Sequence, residues 1–159
     1  MEMFVSKAER EFFEAWLQPQ FTVLEYGSGG STLLIQKKVK KLFSIEHQEE
    51  WFKKIKNLIE PTTELYFVPP DKKYIEGGHY DGSYNEFYSY INKGLEFGPY
   101  DLIYVDGRAR VDCCRCIKQK LTNDGIIIFH DFERDQYQCL TKEFNVVAQK
   151  ERMAALKPL

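Results

Sequence analysis

The chain has 159 residues, enough for one well-buried core and too few for two ordinary domains. The expectation is therefore a single domain over 1–159, with an amino-terminal helix (1–19) packed on it. Its 22 basic and 24 acidic residues leave a formal charge of −2, which gives no field suited to long phosphate backbones, so no nucleic-acid partner is expected.

The lysines at 37, 38, 40 and 41 suit the carboxyl end of a helix. The start, MEMFVSKAER, has no signal-peptide core, and no apolar run is long enough to cross a bilayer. The expected setting is cytoplasmic and reducing, with no membrane partner. Cys113, Cys114, Cys116 and Cys139 then read as free thiols.

In chain order, Ser6 and Glu9 have capping-box spacing and open a helix carrying Phe12, Phe13, Trp16 and Leu17, stopped by Pro19. Phe21 to Leu24 is a short buried strand ending in the turn Glu25-Tyr26-Gly27-Ser28-Gly29-Gly30-Ser31, and a helix starts at Ser31 or Thr32. Leu42 to Ile45 is a second strand closed by Glu46. A helix from Gln48 to Ile59 places Trp51, Phe52, Ile55, Leu58 and Ile59 on one face.

Leu65 to Val68 is a third strand, and Asp71 to Ser83 a long polar loop. A second capping-box spacing, Ser83 to Glu86, opens a helix through Phe87, Tyr90, Ile91 and Leu95. Asp101 to Val105 is a fourth strand ending at Asp106-Gly107, followed by a helix from Ala109 to Leu121. The turn Asn123-Asp124-Gly125 leads into a fifth strand, Ile126 to Phe129. A short helix near Tyr137 to Phe144 and strands around Val146-Val147 and Met153 to Leu156 complete the pattern.

Near-continuous apolar strands alternating with amphipathic helices define an α/β fold, with a mostly parallel sheet covered by helices on both faces. In such sheets ligands bind at the carboxyl ends of the strands. Gly27 to Ser31, Glu46, the loop after Val68, Asp106 and His130-Asp131 all fall at that edge. The chemistry is expected there.

Glycines at 27, 29 and 30 permit positive φ and close approach of a ligand. A dinucleotide fingerprint would require a glycine where Thr32 stands, so that pattern fails at its last position. Glu25, just before the first glycine, suits a ligand with a cationic amino-acid end rather than a phosphate. Glu46, about 20 residues after the first glycine, has the spacing of acids that accept ribose hydroxyls. Taken alone, it would equally serve as a solvated helix cap.

The run VLEYGSGGST followed by SIEH resembles the first two S-adenosylmethionine (SAM) motifs of class I, Rossmann-like methyltransferases, with Ser31 in place of the third motif glycine. DLIYVDGRARVDC, GIIIFHDF and AALKP extend the similarity to a small bacterial-type methyltransferase family of unassigned substrate. The resemblance spans Phe21 to Pro158 and implies a seven-stranded sheet in the order 3-2-1-4-5-7-6, the last strand antiparallel. It implies SAM as cofactor, held by Glu25, Gly27, Ser28, Gly29, Ser31, Glu46, His47 and Asp106.

Asp106, His130 and Asp131 are the candidate catalytic residues. Metal-dependent O-methyltransferases of similar fold hold Mg2+ between acids at such strand ends, making Asp106 and Asp131 candidate ligands with His130 or another group as the third. The other reading is that both acids cap turns and pair with Arg108, Arg110 or Arg134. Without a metal, His130 could take the acceptor proton. His79, Tyr80 and Tyr84 in the long loop, together with Arg108, are the candidate substrate contacts. Cys113, Cys116, Ile117 and Leu121 fall at helical spacing, so the cysteine cluster reads as core and not as zinc ligands.

The expected activity is SAM-dependent methyl transfer to a small-molecule or sugar-like acceptor, at oxygen. An NAD(P)-dependent oxidoreductase and a non-catalytic SAM-fold binding module are the competing readings. A homodimer is open.

Overall fold

The computed structural model describes residues 1–159 except Phe4, Glu76 and Gly78. Phe4, in the amino-terminal segment, and the loop glycine Gly78 therefore lie outside the described residues. Seven strands form one sheet: β1 (Thr22–Tyr26), β2 (Lys41–Glu46), β3 (Thr63–Phe67), β4 (Tyr100–Val105), β5 (Leu121–Phe129), β6 (Phe144–Lys150) and β7 (Met153–Pro158). Their order is 3-2-1-4-5-7-6. β1 to β5 pair in parallel, while β7 runs antiparallel to both β5 and β6. The order implied by the family resemblance is the one observed.

Alternating strand residues bury opposite faces. Leu24, Tyr26, Ile103, Val105, Ile127 and Phe129 pack under α4 (Tyr88–Lys93) and α5 (Arg110–Ile117). Val23, Leu42, Leu102, Tyr104, Ile126 and Ile128 form the opposite core with Phe13 of α1 (Lys7–Trp16) and Ile35 of α2 (Gly30–Ile35). A sheet buried on both faces explains why its strands read as continuous apolar runs. Cys113, Cys114 and Ile117 are fully buried on α5, so the cysteine cluster is largely core.

Several local readings shift: the helix read over Ala109 to Leu121 ends at Ile117, Leu121 opens β5 and Phe144 opens β6, and three further shifts have visible causes. The helix read over Gln48 to Ile59 stops earlier, as α3 (Glu49–Ile55), because Gln36 at the end of α2 takes up the polar groups that follow. Its side chain donates to Leu58 O at 3.1 Å and accepts from Glu60 N at 3.0 Å. The Ser83–Glu86 capping box forms, but Phe87 is non-helical at φ −120°, ψ 25°, and α4 starts only at Tyr88. There the carboxylate of Asp71 receives Ser89 N at 2.7 Å, capping the helix from across the loop. The turn Asn123-Asp124-Gly125 lies inside β5, where the register against β4 shifts between Tyr100 and Leu102.

The predicted capping box of α1 is present. Ser6 and Glu9 exchange hydrogen bonds of 2.9 and 3.1 Å. Glu9 is fully buried and also receives the Arg152 guanidinium at 3.0 Å, tying α1 to the start of β7. Among the described residues no helix is long and apolar enough to cross a membrane.

Candidate functional site

The carboxyl ends of β1, β2 and β4 enclose a cleft of about 210 Å3. Gly27, at φ +94°, lies in the left-handed region, and a Cβ there would come within 2.8 Å of Gly107 Cα. This glycine is thus required by the meeting of the β1 and β4 ends. A Cβ on Gly30 would collide with the Glu2–Met3 peptide, so the amino-terminal segment lies directly over the turn. Nothing crowds Gly29, which faces open space.

Glu46 organises the cleft floor. Only 2% exposed, it accepts Ser28 N on one carboxylate oxygen and Gln48 N on the other, each at 2.7 Å. Nδ1 of His47 lies 3.2 Å from the same carboxylate. A single side chain on the cleft lining therefore fixes the glycine turn against the start of the β2–α3 connection.

Of the predicted cofactor residues, Gly27, Ser28, Gly29, Ser31, Glu46, His47 and Asp106 all line the cleft. So does Arg108, read from sequence as a substrate contact. Its Nε is buried without a hydrogen-bond partner among the described residues, as are both ring nitrogens of His47. Sequence reasoning missed Met3, Gln48 and Trp51, which complete the wall. Trp51 was legible as part of an apolar helix face, but that pattern does not distinguish core from cleft.

Glu25 is a correction. It is fully buried beneath the turn and does not line the cleft, so its carboxylate does not face a ligand. Its neighbour in register on β2 is Ser44, whose hydroxyl donates to it at 2.5 Å. Thr32 Oγ1 donates to the same oxygen at 2.6 Å, and Ser31 Oγ donates to the other. Thr32 Oγ1 in turn accepts Gly29 N at 2.9 Å, so the acid supports the turn from inside. Burial pushes the Glu25 carboxyl up to about 7, against the lowering effect of the three hydroxyls.

At the β4 and β5 ends, Asp106, His130 and Asp131 come together as the spacing of strand ends predicts, with ligand atoms within 4.8 Å of one another. His130 is 4% exposed and does not line the cleft. Nδ1 lies 3.3 Å from Asp106 Oδ1 and 3.4 Å from Asp131 Oδ1, while Nε2 lies 3.8 Å from Glu9 Oε2. Although burial alone would lower it, the Asp106 and Asp131 carboxylates raise the imidazole to about 9. His130, read from the sequence as a candidate base, is thus buried off the cleft among three carboxylates.

The metal reading is tested by the same geometry. Arg110 Nη1 lies 3.3 Å from Asp106 Oδ1 and 3.1 Å from Asp131 Oδ2. Arg134 Nη2 adds a contact of 3.0 Å to Asp131 Oδ2. Mg2+ requires several oxygens at about 2.0–2.1 Å in octahedral array, and the two carboxylates already hold guanidinium groups. The residues present do not fit the ion. Asp106 and Asp131, predicted as metal ligands, are instead partners of arginine, the alternative the sequence left open. Asp131 stands at φ 59°, a left-handed conformation these ion contacts hold in place.

The long loop meets the site by a different residue than predicted. His79, Tyr80 and Tyr84 are exposed and none lines the cleft. Tyr80 hydroxyl instead donates to Glu86, and His79 O accepts from Gln136 at 2.8 Å. Asp81 makes the attachment: its backbone oxygen accepts Ala109 N at 2.6 Å and its carboxylate accepts Arg110 N at 2.7 Å. Nearer the cleft, Tyr74 lines an adjoining groove with Phe67, Pro70 and His47.

No family model matches the chain, and no curated protein does. Solved structures do. A methyltransferase-like protein from Silicibacter pomeroyi matches with a TM-score of 0.77 at 24% identity, over 99% of this chain and 90% of that one. An rRNA methylase from Streptococcus thermophilus matches with a TM-score of 0.60 at 14% identity, over 99% of both chains. MycE, a methyltransferase of mycinamycin biosynthesis in complex with Mg and S-adenosylhomocysteine (SAH), matches with a TM-score of 0.62 at 13% identity. That match covers 94% of this chain and 44% of MycE. With the strand order, these similarities define the chain as having the class I SAM-dependent methyltransferase fold.

Proposed function

We propose that the chain binds SAM in the cleft between the β1, β2 and β4 ends and transfers its methyl group to a small-molecule or sugar-like acceptor, at oxygen. The observation that carries this reading is Glu46, a nearly buried carboxylate at the β2 end that lines the glycine-rich cleft and accepts Ser28 N and Gln48 N, one on each oxygen. An acid in that place accepts the two hydroxyls of a ribose. The sulfonium of SAM supplies the driving force, and the chain supplies alignment.

The residues proposed to hold SAM are Gly27, Ser28, Gly29, Ser31, Glu46, His47 and Asp106. Glu25 acts one layer beneath them, through the hydroxyls of Ser31 and Thr32. Asp106, one-third exposed on the cleft wall, is the member of the Asp106–His130–Asp131 group proposed to face the acceptor. Arg108, with its Nε uncommitted, is the proposed acceptor contact. One similar fold is an rRNA methylase, but a charge of −2 favours a small acceptor over a phosphate backbone here.

Thermal-shift measurements with SAM, SAH, NAD and NADP test the reading. At about 100-fold excess over Kd a ligand adds ~2.7 kcal/mol, so SAM and SAH should each raise Tm by about 5–10 °C. NAD and NADP should leave it unchanged. A shift with NAD alone, or with none of the four, would overturn the proposal; the latter would leave a binding module of this fold.

A further inference from the structure

We propose that Arg110 is the resident cation of the Asp106–His130–Asp131 centre, standing where a divalent ion would otherwise be bound, so that this centre works without metal. The inference concerns the charge content of the centre and does not depend on which cofactor the cleft takes.

The first support is occupancy. Arg110 is 5% exposed, and its guanidinium is fixed by two backbone carbonyls: Nε donates to Gly107 O at 3.0 Å and Nη1 to His130 O at 2.8 Å. Those bonds place Nη1 between the two aspartates, 3.3 Å from Asp106 Oδ1 and 3.1 Å from Asp131 Oδ2. The gap between the acids is thus filled by a side chain locked on the protein's own backbone.

The second is saturation of the acids. Asp131 Oδ2 faces Arg110 and Arg134, and its Oδ1 faces His130 and, at 3.6 Å, Arg152. Asp106 Oδ1 faces Arg110 and His130, and its Oδ2 is 3.3 Å from the Tyr104 hydroxyl. No carboxylate oxygen of the pair is without a cation or donor. A divalent ion would have to displace a buried guanidinium that never deprotonates, and would meet its charge at short range.

The third is what the guanidinium does that an ion would not. The same residue's backbone N–H donates to the Asp81 carboxylate at 2.7 Å, and its Nε lies 3.8 Å from the other Asp81 oxygen. Arg110 therefore joins the cleft wall at Asp106, the β5 end at Asp131 and the long loop at Asp81. It is a positioning residue, holding Asp106 at the cleft while fastening the loop.

Electron paramagnetic resonance of Mn2+ titrated into the full chain tests this directly. The wild type should show no saturable bound ion at millimolar Mn2+. Arg110→Ala, with folding checked by circular dichroism, should bind one ion at least about a hundredfold more tightly, since a unit charge a few ångströms away has been removed. Asp131→Asn added to that variant should abolish the binding. Arg110→Gln, which keeps a donor for the two carbonyls, serves if the alanine variant does not fold, and Arg110→Lys should stay free of ion. Saturable Mn2+ in the wild type that Asp131→Asn removes would overturn the proposal. So would a folded alanine or glutamine variant that binds no Mn2+; if neither folds, the wild-type titration decides.

Discussion

Glu46→Ala is expected to weaken SAH binding by about a hundredfold or more, measured by calorimetry. Hydrogen bonds to a charged group each contribute about 1.5–3 kcal/mol, and a ribose offers this carboxylate two hydroxyls. The loss also reaches the turn: Ser28 N and Gln48 N, each now 2.7 Å from a carboxylate oxygen, would be left without that acceptor. Glu46→Gln keeps one acceptor oxygen and loses the charge, so its affinity should fall between the two. Unchanged SAH affinity in Glu46→Ala would show that this acid does not hold the ribose.

A second large effect concerns stability against pH. The Glu25 carboxyl is raised from the ordinary carboxylate range to about 7 by burial, so the folded state prefers it neutral. Stability from this group is therefore lost as pH rises through the interval from its unfolded value to about 7. Asp81, raised by burial, acts in the same direction. His130 is raised to about 9 by the carboxylates around it, so its contribution is complete below its unfolded value and disappears as pH rises toward 9.

Glu9, Asp106 and Asp131 act oppositely. The partners of each hold it below the carboxylate range despite burial, so their stabilisation is lost at acid pH. The unliganded protein should thus be most stable at about pH 4–5 and lose on the order of 3 kcal/mol per group, from Glu25 and from His130, by pH 9. In a chain of this size that lowers Tm by about 10 °C or more. Glu25→Gln should flatten the part of the decline between about pH 5 and 7, because its amide does not titrate. Calorimetric scans across pH 5 to 9 check both. A Tm that rises over this range, or a Glu25→Gln variant with the wild-type slope, contradicts the assignment.

Much of this architecture was legible because it rests on local patterns. Apolar runs with turn residues between them marked the strands, and the glycine turn with Glu46 marked the cleft. Convergence of Gly27, Glu46, Asp106 and Asp131 follows from parallel strands sharing one ligand-binding edge. The buried side of Glu25 was also accessible in principle: alternation puts it on the face of Val23, in the core beneath α2. Its position beside a glycine motif fits a ligand contact equally well, and only the packing separates the two.

What was not legible depends on contacts between distant segments. The Glu2–Met3 peptide over Gly30 leaves no periodic trace, so that glycine looked like a ligand requirement. Nor does spacing reveal that Arg110, and not a metal or solvent, sits between Asp106 and Asp131. Asp81 was placed in a loop by its neighbours' polarity, yet it is pinned to Ala109 and Arg110 at the start of α5. In each case the sequence shows a residue suited to more than one partner, and only the packing selects between them.

The most direct test of the account is a crystal structure of the chain with SAH. The account predicts SAH along Gly27 to Ser31, with its ribose hydroxyls on Glu46 and its sulfur toward Asp106. SAH bound elsewhere, such as in the groove beside Phe67 and Tyr74, or bound with its ribose away from Glu46, would contradict it.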